Sequence, residues 1–422
     1  MPLVNKVQHL GSAARGGPGD LSRLGAVRVA LCAVFAVHGF IFASWAVRIP
    51  AVKEQTGAST ATLGLALLGL SAGAVATMAV AGALCRRFGS GRVTVISCLL
   101  LSATLVLPAL AHSVVTLGLA LLVFGAAYGC VNVAMNSVAV DLVAALRRPV
   151  MPSFHAAWSF GGLAGAALGG LLAPHLSPVR HLLLVALAGL LVTVLAGRAL
   201  LASASWLPDA ARTTMSGPDR HASADHEAPA DPKAPARRRV RETGRAVGVF
   251  GLIALCAAYD EGAIGDWGAL HLRQDLGAAA GLAAVGYAAF ALAEATGRLS
   301  GTWLFEHLDR TRVLVLSGLT ACAGMLVASL APDVWLAVAG FAATGLGLAN
   351  LFPAAIARAG LLAGPAGVAL TSMLGYSGFL LGPPAIGFLA SEFGLRAGLT
   401  TLSLLALAAA TIAYLSADRT DP

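Results

Sequence analysis

Tyr259-Asp260-Glu261-Gly262-Ala263-Ile264-Gly265-Asp266-Trp267-Gly268-Ala269-Leu270-His271-Leu272-Arg273 sets three carboxylates inside a long apolar run. The run begins near Val247, so Asp260 lies about 13 residues in, ~20 Å along a helix that rises 1.5 Å per residue. That depth is near the middle of a bilayer. A carboxylate there costs several kcal/mol unless it is paired, protonated or facing water, so an acid at mid-membrane marks a functional site. Asp260 and Glu261 point about 100° apart on such a helix, so at most one faces a given cavity squarely. Asp266, a turn and a half further on, falls near the outer mouth.

Composition fits the same reading. Hydrophobic residues make up 58% of the chain, charged residues 11%, and mean hydropathy is +0.81. A soluble domain of 422 residues has no means of hiding that much apolar surface, which indicates an integral membrane protein. Apolar segments recur at 27–49, 60–84, 93–112, 114–140, 151–174, 179–201, 246–270, 280–304, 312–331, 333–357, 366–390 and 395–416. Each is long enough to span, which predicts an all-α membrane protein of twelve transmembrane helices in two six-helix bundles.

The expected organisation is a cytoplasmic tail at 1–25, a first bundle at 26–201, a linker at 202–245, a second bundle at 246–416 and a short tail at 417–422. The tail carries no apolar signal-peptide core. The linker is rich in proline and ends in Arg237, Arg238, Arg239, Arg241 and Arg245, which suit anionic lipid headgroups better than nucleic acid, since no aromatic or folded module accompanies them. Alternate loops collect Arg86, Arg87, Arg92, Arg147, Arg148, Arg310, Arg312 and Arg358, whereas the opposite loops hold mainly Arg48, Lys53, Arg180, Arg273 and Arg396. The bias is expected to place both termini and the linker in the cytoplasm. The net charge of +8 is thus a topological signal. Six cysteines fall singly in or at the ends of apolar segments, with no metal-ligand spacing, and are expected to be small packing residues.

The halves repeat. His38-Gly-Phe-Ile-Phe-Ala-Ser-Trp45 matches Asp260-Glu-Gly-Ala-Ile-Gly-Asp-Trp267 at an offset of 222, and Gly129-Cys-Val-Asn132 matches Gly347-Leu-Ala-Asn350 at 218. Gly161-Gly-Leu-Ala-Gly165-Ala-Ala-Leu-Gly169-Gly170 matches Gly378-Phe-Leu-Leu-Gly382-Pro383-Pro-Ala-Ile-Gly387 at 217. Halves related by an axis along the membrane normal place a binding site between them at mid-depth.

Polar side chains inside the spans are the candidates for that site. His38 and Trp45 share a face of the first span, and His38 is the side chain suited to titrate near neutral pH. Tyr128, Asn132 and Asn136 form a stripe at four-residue spacing, and their amides offer donor and acceptor to a hydroxylated ligand or, alternatively, bond helix to helix. His155 and Trp158 add an imidazole and a stacking platform; Asn350 and Tyr376 complete the lining from the second half. Glu294 and Arg298 are spaced for an ion pair within one helix, which either stabilises the gate or releases Glu294 to take a proton. The ligand is expected between Trp45 and Trp267.

The loop Gly82-Ala-Leu-Cys-Arg86-Arg87-Phe-Gly89-Ser-Gly-Arg92 and the glycine series of the fifth span resemble signatures of the major facilitator superfamily, with Arg86 where an aspartate is usual and Ala166 where a proline is usual. Ala43-Ser-Trp-Ala-Val-Arg-Ile-Pro50, Asn132-Val-Ala-Met-Asn136-Ser137, Ser153-Phe-His155-Ala-Ala-Trp158-Ser159 and Glu261-Gly-Ala-Ile-Gly-Asp-Trp267 are similar to uncharacterised bacterial inner-membrane facilitators near the fucose permease branch. The resemblance implies a secondary transporter of alternating access, favours Glu261 over Asp260 as the cavity-facing acid, and gives Arg86, Arg87, Arg92 and Arg298 gating roles. Glu261, Glu294, Asp260 and His38 are the expected proton-coupling groups. A small polar solute such as a sugar is the expected substrate, with protons and lipid the other partners, a monomer the expected state, and no cofactor or metal. Alternatives are a proton-driven exporter of a drug or secondary metabolite and a non-transporting membrane sensor. An enzyme is not expected, for want of a nucleophile-base set, and no phosphate-binding G-x-x-x-x-G-K-[ST] loop occurs.

Overall fold

The computed structural model describes residues 18–58, 60–173, 175–202, 234–278 and 280–416. Most of the expected N-terminal tail, the linker stretch 203–233 and the C-terminal tail lie outside the described residues. The helices are α1 (Pro18–Thr56), α2 (Thr60–Phe88), α3 (Ser90–Thr104), α4 (Val114–Leu146), α5 (Met151–Leu172) and α6 (Pro178–Ala202), then α7 (Ala234–Gln274), α8 (Ala280–His307), α9 (Arg310–Leu330), α10 (Val334–Leu348), α11 (Leu351–Phe393) and α12 (Leu395–Leu415).

Nine stretches among the described residues are long and apolar enough to cross a membrane. One of these, Val334–Phe393, runs for 60 residues and reverses direction at Ala363 and Gly364, so it crosses twice. Gly364 has φ +56°, a conformation that costs a residue without a side chain little, and Pro365 starts the next limb at a position that needs no backbone donor. The more polar α5 and α8, which pack against each other between the halves, complete a twelve-span membrane protein.

Three element boundaries differ from expectation. The tenth span is not one helix: it breaks between α10 and α11, and Asn350 stands at the junction with φ −108° and ψ −6°. The third span tightens into a 3-10 turn at Leu107–Leu110, where Pro108 withholds a backbone donor. The weakly marked boundary before the fourth span falls where expected, as a capping box in which the Ser113 side chain accepts from the Thr116 backbone N–H and the Thr116 side chain returns the bond. The basic run Arg237 to Arg245, expected in the linker, is helical backbone at the start of α7.

Packing repeats with the sequence. In the first half α1 packs on α5, α2 on α4 and α3 on α6; in the second α7 packs on α11, α8 on α10 and α9 on α12. Glycines set these approaches. A Cβ on Gly161 would run into the Ala36 carbonyl, one on Gly125 into that of Leu70, and one on Gly378 into that of Leu255. Small residues allow backbones this close in a bilayer, where helices associate by van der Waals fit rather than by the hydrophobic effect. Each half has its own apolar core, one centred on Phe35, Phe124 and Phe154, the other on Phe290 and Phe341.

The halves meet through α2 with α11, α5 with α8, and α4 with the first limb of α11. Gly82 abuts Pro365, Gly301 abuts Pro152, and Gly360 abuts Val140. Arg148, just past α4, reaches Glu306 near the end of α8 at 2.7 Å. All of these contacts lie at the end of the bundle where α1 begins and α2 finishes.

Candidate substrate cavity

Between the halves, past those contacts, lies a cavity with about 560 Å³ of space between atoms, part of it open to solvent. The two walls differ in chemistry. Phe35, Tyr128, Asn132, His155 and Trp158 line it from the first half, and Glu261, Arg298, Phe352, Tyr376 and Phe379 from the second. The Tyr128 and Tyr376 rings approach to 6.0 Å across the divide.

The second-half wall carries charge. Arg298 donates from Nη2 to Glu294 Oε1 at 2.6 Å, and the same nitrogen lies 3.6 Å from Glu261 Oε2. Nη1 donates to Ser159 Oγ on α5 at 2.5 Å, so one guanidinium ties two acids of the second half to the first half. The Arg298 and Glu294 side chains are 4% and 6% exposed while Glu261 keeps 18%, which makes Glu261 the acid with access to the cavity. Two carboxylates facing one guanidinium leave one negative charge over, in surroundings where an uncompensated charge is costly.

The first-half wall is built of neutral hydrogen bonds. Trp158 Nε1 donates to His38 Nδ1 at 3.0 Å, and the His38 ring stacks on Tyr128 at 4.1 Å. His155 Nε2 meets Asn136 Oδ1 at 3.2 Å, and Asn136 Nδ2 donates to the Asn132 carbonyl at 2.8 Å. His38 and Asn136 are fully buried. They stand one layer behind Tyr128, Trp158 and His155 and orient them.

Several expected positions therefore move. The cavity does not lie between Trp45 and Trp267. Trp45 is seven residues past His38 and Trp267 six past Glu261, roughly 10 Å further along their helices. Trp45 is buried in the first-half core, and Trp267 packs against Gly387. Asp260 points away from the cavity and is 1% exposed within the second half, where its Oδ1 has no hydrogen-bond partner. The side chain of Asn350, the repeat partner of the cavity-lining Asn132, donates to the Gly297 carbonyl at 3.0 Å and joins α8 to the α10–α11 junction. Arg86, Arg87 and Arg92 are exposed and make no ion pair among the described residues; the pair that spans the halves at that end is Arg148–Glu306. Asp266 lies further out on α7 than Glu261, and Tyr287 of α8 comes closest to the backbone of Gly265 beside it. The described residues contain no cluster of side chains able to hold a metal ion.

Sequence reasoning missed Phe35, Phe352 and Phe379, which line the cavity, and Ser159, which receives Arg298. A phenylalanine in an apolar span carries no mark of its own. Position was the usable signal: Phe35 lies one turn before His38, and Ser159 directly follows Trp158.

The sequence profile of the Major Facilitator Superfamily matches residues 30–259 and 250–422. An uncharacterized MFS-type transporter of Yersinia pestis is 31% identical over 381 residues, covering 89% of this chain and 92% of that protein. The membrane protein MosC of Rhizobium meliloti is 32% identical over 365 residues, covering 86% and 83%. The crystal structure of the E. coli fucose:proton symporter FucP superposes with a TM-score of 0.67 at 17% identity, covering 93% of this chain and 98% of that one, and the likeness is one of fold. With a profile matched over nearly its whole length and full-length relatives above 30% identity, this chain belongs to the major facilitator superfamily.

Proposed function

We propose that the protein is a proton-coupled secondary transporter that carries a small polar solute, of about monosaccharide size, by alternating access. Arg298 carries the proposal: it binds Glu294 and Glu261 within the second half and Ser159 on the first. The two carboxylates and one guanidinium hold a surplus negative charge that one proton cancels. Protonation frees a donor of Arg298 and weakens its hold on the acids, and the same side chain bonds across the halves. A proton at this cluster thereby changes the free-energy difference between the two arrangements of the halves, which is what coupling requires.

The bundles at 26–201 and 246–416 rock as units about the cavity. In the arrangement described they touch at the end where α1 begins and α2 finishes, and the charge bias of the loops supports a cytoplasmic position for that end. This is an outward-facing state of a carrier that works as a monomer, since both walls of the cavity come from one chain. The fucose:proton symporter FucP shares the fold, and a hydroxylated ring suits the aromatic faces and amides of the first-half wall.

The test is uptake into proteoliposomes under an imposed pH gradient. Accumulation that collapses on adding a protonophore is the expected result, and accumulation that ignores it overturns the coupling. Wild-type flux that runs only into everted vesicles would establish export, the alternative direction for the same cycle.

A further inference from the structure

The charge left over in the cavity has one sign, although the buried Arg298 Nε is without a hydrogen-bond partner. Arg298 is the guanidinium in the lining, and its Nη atoms are committed to Glu294, Glu261 and Ser159. An anionic solute entering the cavity meets no free cation and faces the surplus negative charge of the glutamate pair. The acid that stays open is Glu261, whose side chain keeps 18% exposure at the cavity. Around these stand the rings of Phe35, Tyr128, Trp158, Phe352, Tyr376 and Phe379. Aromatic faces attract a cation through the ring quadrupole, and more strongly where water is excluded. An ammonium group is a compact cation with three donors and no acceptor, which complements a carboxylate inside an aromatic enclosure.

We propose that the transported solute bears a protonated amine on a ring of about monosaccharide size, and that its ammonium occupies the place at Glu261 that the proton otherwise takes. The inference rests on the transporter reading above and deepens it. Proton and solute then compete for one surplus charge, so that each neutralises the cavity in turn and the carrier exchanges one for the other. The ring occupies the aromatic box, and the amine selects against neutral and anionic analogues of the same shape.

Three probes of one ring size isolate the charge: cyclohexylamine, cyclohexanol and cyclohexanecarboxylate, titrated against the purified full-length protein with the melting temperature as readout. A ligand that binds the folded state raises that temperature. At pH 8 the amine is expected to stabilise at about tenfold lower concentration than the alcohol, a difference of ~1.4 kcal/mol, and the carboxylate to give no shift. An alkylamine stays protonated well above pH 8, as a lysine does with its pKa of about 10.4. Weaker binding of the amine at pH 6 than at pH 8 therefore reports a proton taken up by the protein at the same place. Glu261→Gln is expected to remove the advantage of the amine over the alcohol. Equal shifts from amine and alcohol, a shift from the carboxylate alone, or no shift from the amine at millimolar concentration each overturns the charge selection. If Glu261→Gln does not stay monodisperse, the wild-type series decides. An amine preference that is indifferent to pH overturns the shared site but leaves the amine selection standing. Uptake insensitive to a protonophore overturns proton coupling, independently of the probe series.

Discussion

The two walls of the cavity descend from one repeated six-helix unit and have come to hold different chemistry. At the position where α1 carries His38, α7 carries Asp260, and both are buried behind the wall. One residue further on, Gly39 packs against the backbone of α5 while Glu261 faces the cavity. The first half presents rings held by neutral hydrogen bonds; the second presents a guanidinium between two acids. Both halves contribute rings but the charge comes from the second alone, so defects in the first-half wall and in the charged cluster should separate into loss of fit and loss of coupling.

The largest effect is expected from Arg298→Ala. It leaves Glu261 and Glu294 facing each other without a cation and removes the bond to Ser159. Breaking a buried pair by deleting one partner costs roughly 3–5 kcal/mol, so a large drop in melting temperature should accompany the loss of transport. Arg298→Lys keeps the charge but not the planar fork that reaches three partners, and should recover part of the stability and little of the flux. If Arg298→Ala melts like wild type, the cluster does not hold the second-half wall. Glu294→Gln comes next. It keeps the shape and removes the surplus charge, so accumulation against a gradient is expected to fall to simple equilibration while exchange of labelled for unlabelled solute continues. Normal accumulation by this variant would move the coupling site elsewhere.

On the first-half wall the expected loss is smaller and of a different kind. His38→Phe preserves the stack on Tyr128 and deletes the acceptor of the Trp158 indole N–H. One neutral hydrogen bond contributes about 1 kcal/mol, so half-saturation should rise about fivefold while the dependence of uptake on the pH gradient stays as in wild type. A His38→Phe carrier with normal half-saturation but no response to the gradient would invert the division of labour between the halves.

That division was only partly visible in the sequence. Composition, segment length and the offsets between repeats are properties of the chain alone, and they carried the twelve spans, the two-fold plan and the candidacy of Tyr128, Asn132, His155, Trp158, Glu261, Glu294, Arg298 and Tyr376 for the cavity. The spacing of Glu294 and Arg298 is a local fact of helix geometry, and it predicted their contact. Which neighbour a side chain meets on another helix is not local. Asn132 and Asn350 match in the repeat, yet one lines the cavity and the other fastens α8 to a break in the tenth span. Trp45 and Trp267 match as well, and both sit too far along their helices to reach the cavity. Repetition in sequence preserves the position along a helix and the packing partner; the chemistry at each position has diverged.

The smallest effect is expected at the rim where the halves touch. Arg148 Nε donates to Glu306 Oε1 at 2.7 Å, beyond the apolar part of α8 and in contact with water. That hydrogen bond, more than the charge attraction added to it, holds the Glu306 carboxyl below its ordinary range. A carboxylate whose pKa is lowered in one arrangement favours that arrangement at pH values above its ordinary pKa, and the preference fades as the pH falls through the lowered value. The ordinary value is about 4.3, so the pair is intact throughout the neutral range and contributes no pH dependence there. Any change of transport between pH 6 and 8 must then come from other groups. Glu306→Gln should loosen the closed end slightly, because an exposed pair is screened by water and salt. The measurement is the rate at which a thiol reagent reaches a cysteine placed at the half-buried Ser153, next to Pro152 at this rim, in a background without the native cysteines. A modest rise in that rate, with the pH profile of uptake unchanged between pH 6 and 8, is the expected outcome. A shifted profile would make the rim, rather than the charged wall, the place where protons act.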